Sequence, residues 1–271
     1  MCELLAMSSS QPAHLTFSLH TLASHGGGDG NTHDGWGVAF YQGKDVALFR
    51  EPAAAGDSTL VRHLESQGPS TNLAISHIRR ATHGAVQLSN TQPFVRELGG
   101  RTHVFAHNGH LPGLMSSAVM AGGPYRPVGE TDSEHAFCAL LARLSILWEA
   151  ANPPSLEARL SLLAQFASDL RSFGPANFLY ADGDALFAHG HRRIQRASGH
   201  TEAPGLWMLQ RHCTRADPAS EHHGGVSVAA DEQALVLMAS VPLSDAAWRP
   251  LAEGELVAVR AGEVIQSRLA Q

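Results

Sequence analysis

Thr131-Asp132-Ser133-Glu134-His135-Ala136-Phe137-Cys138-Ala139-Leu140-Leu141 stands near the middle of the chain and decides its class. Thr131 and Glu134 have the spacing of a capping box, in which a hydroxyl and a carboxylate close the first turn of a helix. Phe137, Leu140, Leu141, Leu144, Leu147 and Trp148 follow at helical spacing. A second helix is predicted over residues 155–173. Leu156, Leu160, Leu163, Phe166 and Leu170 form its apolar stripe, and Gly174-Pro175 stops it.

Outward from this pair the pattern turns strand-like on both sides. Before it lie residues 4–7, 36–41, 45–49, 73–77 and 103–107, with a hairpin turn at Gln42-Gly43-Lys44. After it lie residues 177–181 and 185–189 across Asp182-Gly183-Asp184, then 225–229, 234–241 and 255–259. The last pairs across Ala261-Gly262 with residues 263–267. Strands, two helices, then strands predicts an α+β protein with antiparallel sheets and segregated helices, not alternating βαβ units. Gly26-Gly27-Gly28-Asp29-Gly30 lacks a following Gly-Lys-Ser/Thr and reads as a loop, not a phosphate cradle.

Composition narrows the function. The 271 residues are 44% hydrophobic and 16% charged, enough for a substantial core. A net charge of −6 without a basic run argues against a nucleic-acid or membrane-surface partner. Cys2, Cys138 and Cys213 form neither a disulfide framework nor a C-x-x-C pair, which fits a reducing, cytoplasmic setting. The start lacks a basic segment ahead of a long apolar run, and no membrane-length apolar stretch occurs. The 17 histidines cluster at His103, His107 and His110, at His189 and His191, and at His222 and His223. No H-E-x-x-H helix occurs and the first cluster runs into a turn, so we expect no metal and no cofactor.

The chemistry gathers at Cys2, which only Met1 precedes. With Met1 removed, one residue carries a thiol and an α-amine, which titrate near pH ~8.5 and ~7.7–8.0. The amine can then serve the thiol as base. Three further motifs follow in order. His77-Ile78-Arg79-Arg80-Ala81-Thr82-His83-Gly84 places Arg79 at a strand end, where its fork can grip a carboxylate. His107-Asn108-Gly109-His110-Leu111 is a tight-turn sequence. It is equally a candidate oxyanion hole, with the Asn108 amide and Gly109 N–H as donors. Gly129-Glu130-Thr131-Asp132 caps the helix and leaves Asp132 ionised in its first turn, able to accept an α-ammonium.

Each motif alone has an ordinary structural explanation, but their order resembles the class II glutamine amidotransferase domain of the N-terminal-nucleophile hydrolases. Residues 77–84 closely resemble the matching segment of the hexosamine-forming glutamine:fructose-6-phosphate aminotransferase. The resemblance implies a four-layer α/β/β/α sandwich with antiparallel sheets, here a single domain over residues 1–271. It makes Cys2 the nucleophile, with its own amine as proton shuttle. Asn108 and Gly109 become the oxyanion hole, Arg79 the carboxylate site and Asp132 the amine site. Thr82 and His83 fall on a loop that closes over the substrate. The family's R-G-x-D-x-x-G survives only as Asp34-x-x-Gly37, and Arg80 stands where an aromatic is common.

The expected reaction is hydrolysis of the side-chain amide of glutamine or another γ-glutamyl compound through a Cys2 thioester, releasing ammonia or an amine. The chain resembles the short, stand-alone members of the family. Two other expectations follow the same residues: a glutaminase subunit that passes ammonia to a separate synthase, and a catalytically silent sensor of a glutamine-like ligand.

Overall fold

The computed structural model describes residues 2–15, 34–81, 84–148, 152–214 and 232–270. Its first strand, β1 (Glu3–Ala13), explains the layering. Successive side chains of a strand point to opposite faces. Leu4 and Ala6 enter one apolar core, while Leu5 and Met7 enter another. A strand apolar on both faces must lie between two layers.

The elements that follow are β2 (Gly35–Gln42), β3 (Asp45–Glu51), α1 (Thr59–Gln67), β4 (Thr71–Arg79), β5 (Phe94–Leu98) and β6 (Arg101–Asn108). Two helices, α2 (Asp132–Leu144) and α3 (Leu156–Arg171), lead to β7 (Asn177–Ala181), β8 (Leu186–Gly190), β9 (Arg193–Ile194) and β10 (Thr201–Glu202). The remainder is β11 (Trp207–Thr214), β12 (Glu232–Ala239), β13 (Arg249–Pro250), β14 (Glu255–Arg260) and β15 (Glu263–Leu269). A seven-stranded sheet runs β13-β11-β12-β1-β4-β2-β3, and a six-stranded sheet runs β15-β14-β8-β7-β6-β5. Every pairing within them is antiparallel.

The sheets stack on a core that includes Leu4, Ile75, Val104, Leu179, Val236 and Val257. Outside the six-stranded sheet lie α2 and α3, packed through Phe137, Leu140, Leu163 and Phe166. Outside the seven-stranded sheet lies α1, packed through Val61 and Leu64. Helix, sheet, sheet, helix is the expected four-layer order. Phe105 of β6 locks the helical layer to the strand that ends in Asn108. It stacks on Phe137 at 5.4 Å and tilts against Phe178 at 5.7 Å, with Phe166 edge-on to Phe178. Such pairs add roughly 0.5–1.5 kcal/mol beyond the area they bury.

The capping box forms only by half. Thr131 accepts the Glu134 N–H at 3.3 Å. Glu134 does not reach back to Thr131; its carboxylate takes the N–H groups of Val128 and Gly129 and pairs with Arg96. Those amides face a buried helix start and have greater need of an acceptor. Six elements escape the sequence reading: α1, β5, β11 and the two-residue strands β9, β10 and β13. The predicted strand at residues 225–229 and the glycine loop at 26–30 lie outside the described residues. None of the described helices is long and apolar enough to cross a membrane.

Candidate active site

The ends of three strands converge at one edge of the sandwich. Cys2 precedes β1, whose Glu3 pairs with Ile78 of β4, so Cys2 lies beside the Arg79 end of that strand. Its Sγ accepts the Arg80 N–H at 3.2 Å. Burial pushes the Cys2 thiol up from its usual range, and this N–H is the main opposing influence. Below it, Glu3 is fully buried and paired with Arg193 at 2.7 Å. Burial raises the Glu3 carboxyl while Arg193 lowers it, and the net direction is up. Leu4 donates to Ser240 Oγ at 2.9 Å and accepts from Ser240 N at 3.0 Å. The chain start is therefore pinned from both sides.

Asn108 ends β6, where its side-chain Nδ2 donates to the Cys2 carbonyl at 2.6 Å. The Asn108 carbonyl in turn accepts from Asn177 Nδ2 at 3.0 Å. Gly109 must be glycine, because a Cβ there would overlap the Pro175 carbonyl and crowd His107. Gln92 grips the preceding residue by both backbone groups, accepting from His107 N at 2.6 Å and donating to His107 O at 3.2 Å. The His107 ring bridges Pro175 O at 3.2 Å and Ser133 Oγ at 2.9 Å. A carbonyl only accepts, so Nε2 carries the proton; burial keeps the ring neutral, and Nδ1 accepts from the Ser133 hydroxyl.

Arg79 is buried and donates to Ala85 O at 3.0 Å and Gly84 O at 3.2 Å. Asp34 supports the same bend: its N–H donates to Arg79 O at 2.9 Å and its carboxylate accepts from Ala81 N at 2.7 Å. Asp132 caps Ser133 N and accepts from Leu111 N, both at 2.7 Å, which ties the Asn108-Gly109 turn to the start of α2. His110 stands 3.5 Å from the same carboxylate. A carboxylate has about four acceptor sites, so room remains for a further donor.

Two pockets meet at Cys2. The smaller, about 30 Å³, includes Cys2, Arg79, Gly109 and Asp132 in its lining. The larger, about 210 Å³, includes Cys2, Asn108, Gly109, Pro175 and Ile194. The structure thus brings Cys2, Arg79, Asn108, Gly109 and Asp132 to one place; Thr82 and His83 lie outside the described residues. Sequence reasoning missed Gln92, Asn177, Glu3 and Arg193. Asn177 opens an otherwise apolar strand and Glu3 directly precedes the apolar run at residues 4–7, and that is the signal they left.

The buried histidines hold protein groups. His103 bonds to Tyr180 Oη at 2.7 Å and Leu98 O at 3.1 Å, and His189 to Ala176 O at 2.6 Å. Among the described residues no three His, Cys, Asp or Glu side chains converge as a metal site. His77 is buried behind Cys2 with neither ring nitrogen hydrogen-bonded, and burial brings its pKa down to about 3.

Comparison with known proteins places this arrangement. The family model described as "Glutamine amidotransferases class-II" matches residues 1–271. The "Putative glutamine amidotransferase YafJ" of Escherichia coli (strain K12) is 41% identical over 189 residues, 70% of this chain and 72% of that protein. A crystal structure titled "predicted glutamine amidotransferase from Pseudomonas aeruginosa PA01" superposes with a TM-score of 0.70 at 33% identity, covering 98% of this chain and 100% of that one. The glutamine phosphoribosylpyrophosphate amidotransferase of B. subtilis shares the fold, with a TM-score of 0.61 at 14% identity. That match covers 100% of this chain and 49% of the other.

Proposed function

The chain belongs to the class II glutamine amidotransferases, and from that premise we propose that residues 1–271 work as one glutaminase domain with Cys2 as nucleophile. One observation carries the reading. Cys2 and Gly109 line both pockets, with Asn108 in the lining of the larger and Arg79 and Asp132 in that of the smaller.

In this reading Met1 is removed and the Cys2 α-amine becomes the base. The thiolate attacks the side-chain carbonyl carbon of glutamine or another γ-glutamyl amide. Asn108 Nδ2 and the Gly109 N–H stabilise the oxyanion that develops. Asn108 then divides its two amide hydrogens between the Cys2 carbonyl and the substrate. The C–N bond breaks, the α-ammonium protonates the departing nitrogen, and water hydrolyses the γ-glutamyl thioester. Arg79 takes the substrate α-carboxylate and Asp132 its α-ammonium. The carboxylate takes over guanidinium N–H groups now given to Gly84 and Ala85. The family resemblance assigns Thr82 and His83 to a loop that closes over the substrate.

The test is an intact mass spectrum after treatment with 6-diazo-5-oxo-norleucine, a glutamine-like electrophile. The expected result is loss of Met1 and one adduct, which disappears in Cys2→Ala. A chain that retains Met1, binds glutamine and takes no adduct is a ligand sensor, and the reading fails. A labelled chain whose weak glutamine turnover rises with one separate synthase is an ammonia-donating subunit of the same chemistry.

A further inference from the structure

The larger pocket is out of proportion to ammonia. By this measure of volume one water needs roughly 10–15 Å³, and this cavity holds about 210 Å³ beside Cys2, with neither Arg79 nor Asp132 in its lining. It shares Cys2, Arg80 and Gly109 with the smaller pocket, so the scissile bond of a bound γ-glutamyl amide would point into it and Arg80 would stand at the junction of the two. One wall comes from a two-stranded ribbon outside both sheets, in which Ile194 of β9 pairs with Thr201 of β10. Ile194 is 48% exposed, and together with Pro175 it makes this wall apolar.

The charge of the pocket is equally specific. Three arginines line it, and two are already matched. Arg193 is buried against Glu3 at 2.7 Å, and Arg192 pairs with Glu253 at 2.7 Å. Arg80 is exposed at the rim and its guanidinium has no acceptor among the described residues. The pocket therefore offers room, an apolar wall and one cation that no acceptor among the described residues compensates.

Resting on the proposed function, we propose that this pocket is the leaving-group subsite, that it takes the amine of a γ-glutamyl-α-amino acid, and that Arg80 receives its carboxylate. The favoured substrate class is then a γ-glutamyl isopeptide, with glutamine a smaller and poorer relative. Thiolate attack forms the same thioester. The bond broken is between the γ-carbonyl carbon and the amino-acid nitrogen. The Cys2 ammonium gives that nitrogen a proton, and the free amino acid leaves through the open side.

The experiment compares hydrolysis of glutamine, γ-glutamyl-leucine and γ-glutamyl-isoamylamide, the last being the leucine compound without its carboxylate. The expected kcat/KM for γ-glutamyl-leucine exceeds both others by at least about tenfold, the scale of a hydrogen bond to a charged group. Arg80→Gln brings the leucine-to-isoamylamide ratio close to one, while Arg80→Lys preserves part of it. On the unmodified protein, raising the salt from low to high ionic strength narrows the same ratio, because an exposed cation is screened. If glutamine and the isoamylamide are hydrolysed with no carboxylate preference, or Arg80→Gln keeps the preference, the subsite is overturned and the glutaminase reading stands. If no γ-glutamyl compound is hydrolysed and Cys2 takes no adduct, both fall together.

Discussion

The two pockets at Cys2 are built in opposite ways. The smaller is walled mainly by three short motifs, at residues 79–81, 107–109 and 131–133, joined by Asn90 and Gln92, and several of its polar groups are bonded to one another. Arg79 holds the carbonyls of Gly84 and Ala85, and Asp132 holds Leu111 N. The larger adds walls from residues 175–201 to Cys2, Arg80 and the turn at residues 108–110, and its buried Arg193 is matched by Glu3, far away in the chain. A site made of local motifs is wired before substrate arrives, which suits a fixed γ-glutamyl group. A site made of distant segments can be wide and variable, which suits a leaving group.

The sharpest way to break this contrast is Cys2→Ala. Loss of the proposed nucleophile is expected to cost about 10⁴–10⁶-fold in turnover, while glutamate or glutamine still binds the smaller pocket. Calorimetric titration checks the binding, and its loss would show that Cys2 builds the pocket as well as acts in it. Next is Arg193→Ala, which strands Glu3 as a buried unpaired carboxylate. It should destabilise the fold by about 3–5 kcal/mol, read as a lowered denaturation midpoint. Glu3→Gln in the same chain should restore much of that. A variant as stable as the parent would separate the clamp beneath the larger pocket from the fold.

Asn108→Ala removes one oxyanion donor and also frees the Cys2 carbonyl. We expect a fall of about 10²–10³ in kcat with retained folding, measured as steady-state glutaminase activity. Near-parental turnover would sink the oxyanion role and leave Asn108 as a structural clasp. The smallest effect is general. Burial depresses the pKa of His77 and His189 to about 3 and of His103 to about 4. These rings stay neutral when folded but protonate below about pH 6.5 when unfolded. The unfolded chain then binds more protons, so stability present above pH 6.5 is lost progressively between 6.5 and about 3. From pH 7.5 to 5.5 each ring costs on the order of 1 kcal/mol. His77→Phe should flatten the denaturation midpoint against pH, and an unchanged slope would discount its part.

Much of this was legible in the chain, and the reasons differ by element. The stripes of α2 and α3 are long and regular, and β6 to β8 are apolar runs bounded by turns. α1 escaped because it has only 9 residues and buries just Val61 and Leu64. β5 carries Arg96 and Glu97 in the middle of 5 residues at a sheet edge, and β11 gives up its apolar pattern at Gln210 and Arg211. Within the site, Cys2, Arg79, Asn108, Gly109 and Asp132 were visible because each sits in a short stretch whose local chemistry is unusual. Gln92, Asn177 and Arg193 were not, because a lone polar residue declares its partner only when the sheets bring that partner to it.

The sequence by itself determined the class of the fold, the order of its longer elements and the residues that gather at Cys2. Those follow from local causes: periodicity, capping and turn chemistry. Only the tertiary structure decided that Glu3 meets Arg193, that Asn177 holds Asn108, and that residues 175–201 open a second pocket beside Cys2. Those contacts join segments far apart in the chain. They depend on how two sheets and their covering layers stack, which burial of the shared apolar core settles and no short motif encodes.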